Sequence, residues 1–179
     1  EMLGIPAVLT NDANAAAVGE MTYGAARGMK DFIMITLGTG VGSGIVVNGQ
    51  VVYGHDGFAG ELGHVIVRHD GRRCGCGRNG CLEAYCSATG LVRTVQGLLI
   101  ARDDESLLRR LSSEEITSKE VYEAVLEGDL IAQEAFSFYF LFFVFRIVSC
   151  HYCSSGVHNT KNSIRAANIN TYYIRFLHT

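Results

Sequence analysis

Phe32-Ile33-Met34-Ile35-Thr36-Leu37-Gly38-Thr39-Gly40-Val41-Gly42-Ser43-Gly44-Ile45-Val46-Val47 decides how the fold is read. The apolar run Phe32–Leu37 predicts a strand, Gly38 to Gly44 a glycine turn, and Ile45–Val47 a second strand. Asn48-Gly49 then predicts a hairpin turn into Val51-Val52-Tyr53. The glycine run lacks the Lys of a P-loop. It also lacks the third Gly of a dinucleotide fingerprint counted from Gly38, because position 43 is Ser, and it joins two strands where those motifs open a helix. Amides and a Thr hydroxyl in such a turn can hold phosphate oxygens. From these residues alone a plain hairpin turn reads equally well.

Working outward, Ala7-Val8-Leu9-Thr10 reads as a short strand. Asn11 or Asp12 then caps a helix that packs through Ala13, Ala15, Ala16, Ala17, Val18 and Met21. Gly54 to Gly63 reads as loop and His64-Val65-Ile66-Val67 as a further strand. A helical pattern runs from Glu83 to about Ile100, Thr117-Ser118-Lys119-Glu120 is a capping box opening a helix through Leu126, and Gly128-Asp129 starts another. Hairpins followed by helices predict an α/β domain with a mixed sheet.

The chain has 179 residues, 21 of them Gly and one Pro, with 48% apolar residues and a net charge of −3. That is enough for one domain with a core, too apolar for a disordered chain and too glycine-rich for a helical bundle. The weak charge gives no reason to expect nucleic acid as the main partner. No signal peptide opens the chain, and no apolar run approaches the roughly 20 residues of a spanning helix. Six Cys are few for a secreted disulfide scaffold, so a cytoplasmic protein is expected.

Composition breaks after Glu134. Residues 1–134 hold all 18 acidic residues, 11 basic ones and 20 Gly, a net charge of −7; residues 135–179 hold four basic residues, no acidic one and one Gly. The second segment opens on Phe138-Tyr139-Phe140-Leu141-Phe142-Phe143-Val144-Phe145, and Ala135–Val148 is too short to span a bilayer. Residues 1–134 are therefore read as a partial domain. Residues 135–179 are read as an atypical tail, foreign through a shifted frame or misassembly, with a genuine apolar helix as the alternative. The abrupt start, Glu1-Met2-Leu3-Gly4-Ile5-Pro6, reads as a cut from a longer protein.

His64, Cys74, Cys76 and Cys81 form the pattern His-x9-Cys-x-Cys-x4-Cys. Cys74 and Cys76 are too close to bridge each other, while Gly75, Gly77 and Gly80 let three thiolates converge. Three thiolates and an imidazole suit structural Zn2+, closed to water; reduced thiols in a glycine-rich loop are the plainer alternative. Cys86 reads as a buried apolar residue, and Cys150-x-x-Cys153 as chance. Asp12, Glu61 and Glu83 each sit where a loop meets a regular element, and each alone reads as a cap or a solvated charge. A metal tying His64 to Cys81 would draw Glu61 and Glu83 to one region. Converging carboxylates suit a polyhydroxylated ligand, one of them serving as general base.

Four blocks together resemble the ROK family of bacterial sugar kinases and sugar-responsive repressors: Thr10 to Ala17, Leu37 to Gly44, Gly57 to His64, and Cys74-Gly75-Cys76-Gly77-Arg78-Asn79-Gly80-Cys81-Leu82-Glu83. The resemblance spans about residues 3–134. It implies an α/β, actin-like ATPase (ribonuclease H-like) fold, here mostly one lobe, with a structural zinc loop. It implies ATP-dependent phosphorylation of a hexose, glucose to glucose 6-phosphate foremost. Asn11 and Asp12 match the family's sugar-contacting pair, with Asp12 as base. Glu61, His64 and Glu83 match further sugar contacts, Thr39 and Gly40 the second phosphate loop, and His64, Cys74, Cys76 and Cys81 the zinc ligands. ATP, Mg2+ and structural Zn2+ are the implied cofactors, the hexose and ATP the partners, and a homo-oligomer the implied assembly of the intact protein. Nucleic acid enters only if the intact protein is a repressor with an upstream helix-turn-helix. The family's first phosphate motif, of Asp-x-Gly-Gly-Thr type, and its later Gly-Gly segment have no match, so little or no turnover is expected of this polypeptide alone.

Overall fold

The computed structural model describes Gly4, residues 9–152 and residues 171–175, the last nine residues of the long segment and residues 171–175 by their backbone only. Two compact units emerge: residues 1–36, 42–61 and 166–179 in one, residues 37–41 and 62–165 in the other.

The first unit is a helix on a sheet. Helix α1 spans Asp12–Tyr23; strand β1 (Phe32–Leu37) buries Phe32, Met34, Ile35 and Leu37, and strand β2 (Val41–Val47) buries Val41, Ser43, Gly44 and Val46. Asn48 and Gly49 both take positive φ, 52° and 76°, the conformation a tight hairpin turn requires, and lead into β3 (Gln50–Val51). The described strands lie in the order β3-β2-β1-β4, where β4 is Thr171–Arg175. β3 runs antiparallel to β2, and β4 antiparallel to β1. The three-residue connection makes β1 and β2 antiparallel as well, so the expected mixed sheet is not seen among the described residues. Of the expected Ala7–Thr10 strand, Ala7 and Val8 lie outside the described residues, and Leu9 and Thr10 belong to no strand.

The glycine run divides into two jobs. A Cβ on Gly44 would stand 2.8 Å from Ala17 Cβ and 2.9 Å from the Ala13 carbonyl oxygen; one on Gly42 would stand 2.6 Å from Thr36 Oγ1 and 3.1 Å from Ala13 Cβ. These two glycines let α1 lie directly on β2, and the alanines of α1 are their counterpart. Beside this contact Ala17, Ala26, Phe32, Met34 and Val46 form the unit's core.

The second unit is helical. The pattern read as one helix from Glu83 is two: α2 (Glu83–Cys86) and α3 (Ala88–Ala101), broken at Ser87, whose backbone is extended and whose hydroxyl caps α3 by accepting from Gly90 N. Gly90 permits the break, since a Cβ there would come within 2.7 Å of the Tyr85 backbone. Helix α4 (Ser118–Leu126) opens on the Thr117/Glu120 capping box, as the sequence predicts. Helix α5 (Leu130–Tyr152) follows Gly128-Asp129. Leu91, Val95, Leu108, Ile116, Val121, Ala124, Ala132 and Ala135 are the core these helices share.

The compositional break after Glu134 falls inside α5. Beyond it Ala135 and Phe143 are buried, and the Phe142 ring stacks on Tyr85 with centroids 5.1 Å apart. Cys153 and residues 154–170 lie outside the described residues. Among the described residues no helix is long and apolar enough to cross a membrane.

Candidate functional site

In the first unit, Asn11 and Asp12 sit at the start of α1. Asn11 is the N-cap, and both Asn11 Oδ1 and Asp12 Oδ1 accept from Ala13 N at 2.8 Å. Both side chains are exposed, and a helix N-terminus favours negative charge there. Glu61 is exposed at the end of the segment that passes β2. There Gly60, at φ +90°, comes so close that a Cβ would lie 2.8 Å from the Ser43 carbonyl oxygen.

In the second unit, the residues expected to form a strand from His64 take another form. Leu62–His64 is a turn of 3-10 helix, and Ile66 makes one antiparallel bridge, to Cys81. Inside this turn Gly63 runs against the Val41 carbonyl so closely that a Cβ would stand 2.1 Å from its oxygen. Only glycine fits there, and the turn leaves the His64 ring beside the cysteines, Nδ1 3.7 Å from Cys74 Sγ.

The cysteine loop is a small knuckle. Arg73 and Asn79 pair as an antiparallel bridge, Cys74 N donates to Arg78 O at 2.9 Å, and Gly77 N to Cys74 O at 3.1 Å. Gly77 and Gly80 take φ of 88° and 79°, and a Cβ on Gly80 would overlap the Arg68 carbonyl. Gly75 has ordinary φ and open space around it. The chain therefore needs two of the three glycines for its path.

One residue the sequence reading passed over holds this loop to the helices. Arg72 N donates to Tyr85 Oη at 2.8 Å. Its guanidinium donates to the Ala84 and Gly90 carbonyls and to Thr94 Oγ1, with Cζ 4.9 Å from the Tyr85 ring centroid. The only signal for it in the sequence is an Arg following Gly71.

His64, Cys74, Cys76 and Cys81 offer four ligand atoms within 4.8 Å of one another. Cys76 Sγ lies 3.6 Å from Cys81 Sγ, and Cys74 Sγ 3.7 Å from His64 Nδ1. Zn–S and Zn–N bonds of ordinary length give a tetrahedron with edges of about 3.6–3.8 Å, so these separations and this donor set fit Zn2+. Burial pushes the Cys74 thiol up to about 12 and raises that of Cys81, whereas the Arg78 amide and guanidinium beside exposed Cys76 lower it to about 6. All four cysteines with described side chains, Cys86 included, are free.

Glu83 joins this cluster to the glycine turn. Its Oε1 accepts from Cys74 Sγ at 3.3 Å and lies 3.9 Å from His64 Nδ1, while its Oε2 accepts from Val41 N at 3.2 Å. A Cβ on Gly40 would stand 2.3 Å from the same Oε2. Thr39 is exposed and Gly40 partly so. The structure thus brings together His64, the three cysteines, Glu83 and Gly40 within one unit. Asn11, Asp12 and Glu61 lie in the other.

The chain is similar to known proteins. A glucokinase of Halalkalibacterium halodurans is 42% identical over 130 residues, which is 72% of this chain and 39% of that protein. A xylose repressor of Bacillus subtilis is 38% identical over 96 residues, 54% of this chain and 25% of that one. A crystal structure of a ROK family glucokinase from Streptomyces griseus, in complex with glucose and AMPPNP, superposes with a TM-score of 0.70 at 41% identity, covering 79% of this chain and 46% of that chain. The chain spans about two fifths of the length of its glucokinase relative. The ROK family pattern runs over residues 1–144, from the α1 cap through the glycine turn and the cysteine knuckle into α5, and the chain belongs to the ROK family.

Proposed function

We propose that the intact protein to which this chain belongs phosphorylates a hexose with ATP, glucose first among its substrates. The observation that carries this reading is the joining, through Glu83, of a glycine turn suited to phosphate and a metal-type cluster containing His64. Similarity to glucokinases over most of the chain supports it. Asp12 is assigned the role of general base. As a sugar hydroxyl oxygen attacks the γ-phosphorus of ATP, the hydroxyl proton passes to the Asp12 carboxylate, the bond to the β-phosphate oxygen breaks, and ADP leaves. Asn11, Glu61, His64 and Glu83 are assigned to the sugar hydroxyls, the carboxylates as acceptors. Thr39 and Gly40 are assigned to the phosphates of ATP, which enters as its Mg2+ complex.

Zn2+ is assigned to His64, Cys74, Cys76 and Cys81. Four protein ligands leave no open position, so when bound it shapes the loop and takes no part in the chemistry. Nδ1 is the His64 nitrogen facing the cysteines, and a metal there would leave Nε2–H as the imidazole's donor.

Similarity to the Bacillus subtilis xylose repressor supports a second reading, a sugar-responsive transcriptional repressor. Asp12 favours the kinase, since a pure sensor has no need of a base. Incubating the purified intact protein with Mg-ATP and a panel of hexoses and N-acetylhexosamines tests the choice. The kinase reading expects ADP formation that depends on sugar. Sugar binding with no ADP formed would support the repressor.

A further inference from the structure

The glycine turn is held from one side by the junction between α2 and α3. Ala88 N donates to Gly38 O at 2.8 Å, and Thr89 Oγ1 donates to Thr39 O at 2.9 Å. The Ser87 and Thr89 hydroxyls are 2.9 Å apart. Thr89 has a single hydroxyl proton, and the Thr39 carbonyl takes it. Ser87 is therefore the donor to Thr89, and Ser87 Oγ in turn accepts from Gly90 N at 3.0 Å. A relay of hydrogen bonds runs from the Gly90 amide through two hydroxyls to one carbonyl of the turn, each bond polarising the next.

Peptide planarity converts this grip into an orientation. In a trans peptide the C=O and the following N–H point in opposite directions, and no described peptide of the chain is cis. Fixing the Gly38 carbonyl toward α3 aims the Thr39 N–H away from it; fixing the Thr39 carbonyl does the same for the Gly40 N–H. Successive amides held on one side form an anion-binding concavity. The Gly38–Thr39 peptide is held by a backbone amide that no side-chain change removes. The Thr39–Gly40 peptide is held at its own carbonyl by the Thr89 hydroxyl, the one of the two grips that a side-chain change removes, while Gly38 N donates to Gly40 O at 3.0 Å just beyond it.

We propose that Thr89, oriented by Ser87, is a positioning residue that aims the Gly40 amide at a nucleotide phosphate. This deepens the assignment of Thr39 and Gly40 to ATP and rests on it. Thr89 is exposed, so Thr89→Val removes the hydroxyl with little change of volume and leaves the fold intact.

The test measures binding of AMPPNP and of glucose, separately, to the intact protein and to its Thr89→Val and Thr89→Ser variants, with zinc content as control. The expected result is AMPPNP affinity about 10- to 100-fold weaker in Thr89→Val, the loss of one hydrogen bond to a charged oxygen. Glucose affinity and zinc content stay unchanged, and Thr89→Ser is restored to near the parent. If AMPPNP affinity is unchanged in Thr89→Val, if both ligands weaken alike, or if Thr89→Ser behaves like Thr89→Val, the positioning role is overturned while the phosphate assignment stands. Should the parent protein bind glucose and no AMPPNP, the phosphate assignment itself falls and the role of Thr89 with it.

Discussion

Glu83 accepts the Val41 amide at 3.2 Å with one carboxylate oxygen while the other receives the Cys74 thiol at 3.3 Å. One side chain therefore links the glycine turn to the metal-type cluster, and each feature constrains where the other can put the carboxylate. That carboxylate occupies the space a Cβ on Gly40 would take.

Gly40→Ala should separate position from stability. The clash is with the free end of a Glu side chain, which can swing aside, so the melting temperature should change by no more than about 2 °C. Glu83 would leave its site, and KM for the sugar should rise about tenfold or more. Sugar kinetics unchanged by the substitution would remove Glu83 from the sugar-binding role.

Gly44→Ala should act on the fold alone. Its Cβ meets both Ala17 Cβ and the Ala13 backbone, and the helix must lift from β2, at a cost of about 1–3 kcal/mol in denaturant unfolding. Gly19→Ala, in the same helix with open space around it, should stabilise by about 0.5–1 kcal/mol. Equal effects from the two would mean that α1 does not lie on β2 as described.

Asp129 is 7% exposed, and burial alone would raise its pKa. Hydrogen bonds from Ala132 N, Ser106 Oγ and Leu107 N outweigh that and lower it. A carboxylate with a depressed folded pKa stabilises above its unfolded value, near 4, and loses that contribution as pH falls through the folded value. Asp129→Ala should therefore cost about 2–3 kcal/mol at pH 7 and progressively less on acidification towards pH 3. A pH-independent loss would mean that packing, not the charge, holds the start of α5.

Bound zinc should stoichiometrically match the chains, and chelation should lower stability by several kcal/mol. Burial keeps Cys74 and Cys81 protonated at neutral pH, while Cys76 is a thiolate above about 6. Between about pH 7 and 8.5 zinc binding must displace the Cys74 and Cys81 protons, so apparent affinity should rise about a hundredfold per pH unit. No metal in the purified protein, with a melting curve indifferent to chelator, would refute the assignment.

Local chemistry was legible in the sequence wherever a residue type has one backbone consequence. Asn48-Gly49 announced its hairpin turn and Thr117 with Glu120 its cap, and the spacing of His64, Cys74, Cys76 and Cys81 announced their convergence. Contacts between distant segments were not legible. The glycines at 42 and 44 belonged to helix packing, which no local pattern distinguishes from a loop. Ser87 breaks a helix that periodicity alone continues: its backbone is extended, its hydroxyl caps α3, and Gly90 leaves room for the Tyr85 backbone. Where a strand was expected from His64 there is a tight turn whose Gly63 packs on the Val41 carbonyl, a contact between distant segments. The Arg72 clamp and the Ser87–Thr89 relay each depend on a partner far along the chain or on an extended backbone at one residue, and neither leaves a sequence pattern.

The most direct test of the function is sugar-dependent release of ADP from Mg-ATP by the intact protein and by its Asp12→Asn variant, with glucose binding measured in parallel. The account predicts that turnover in the variant falls about 10²- to 10⁴-fold while glucose binds nearly as before. Near-normal turnover by Asp12→Asn would contradict it, as would an intact protein that binds glucose and never forms ADP.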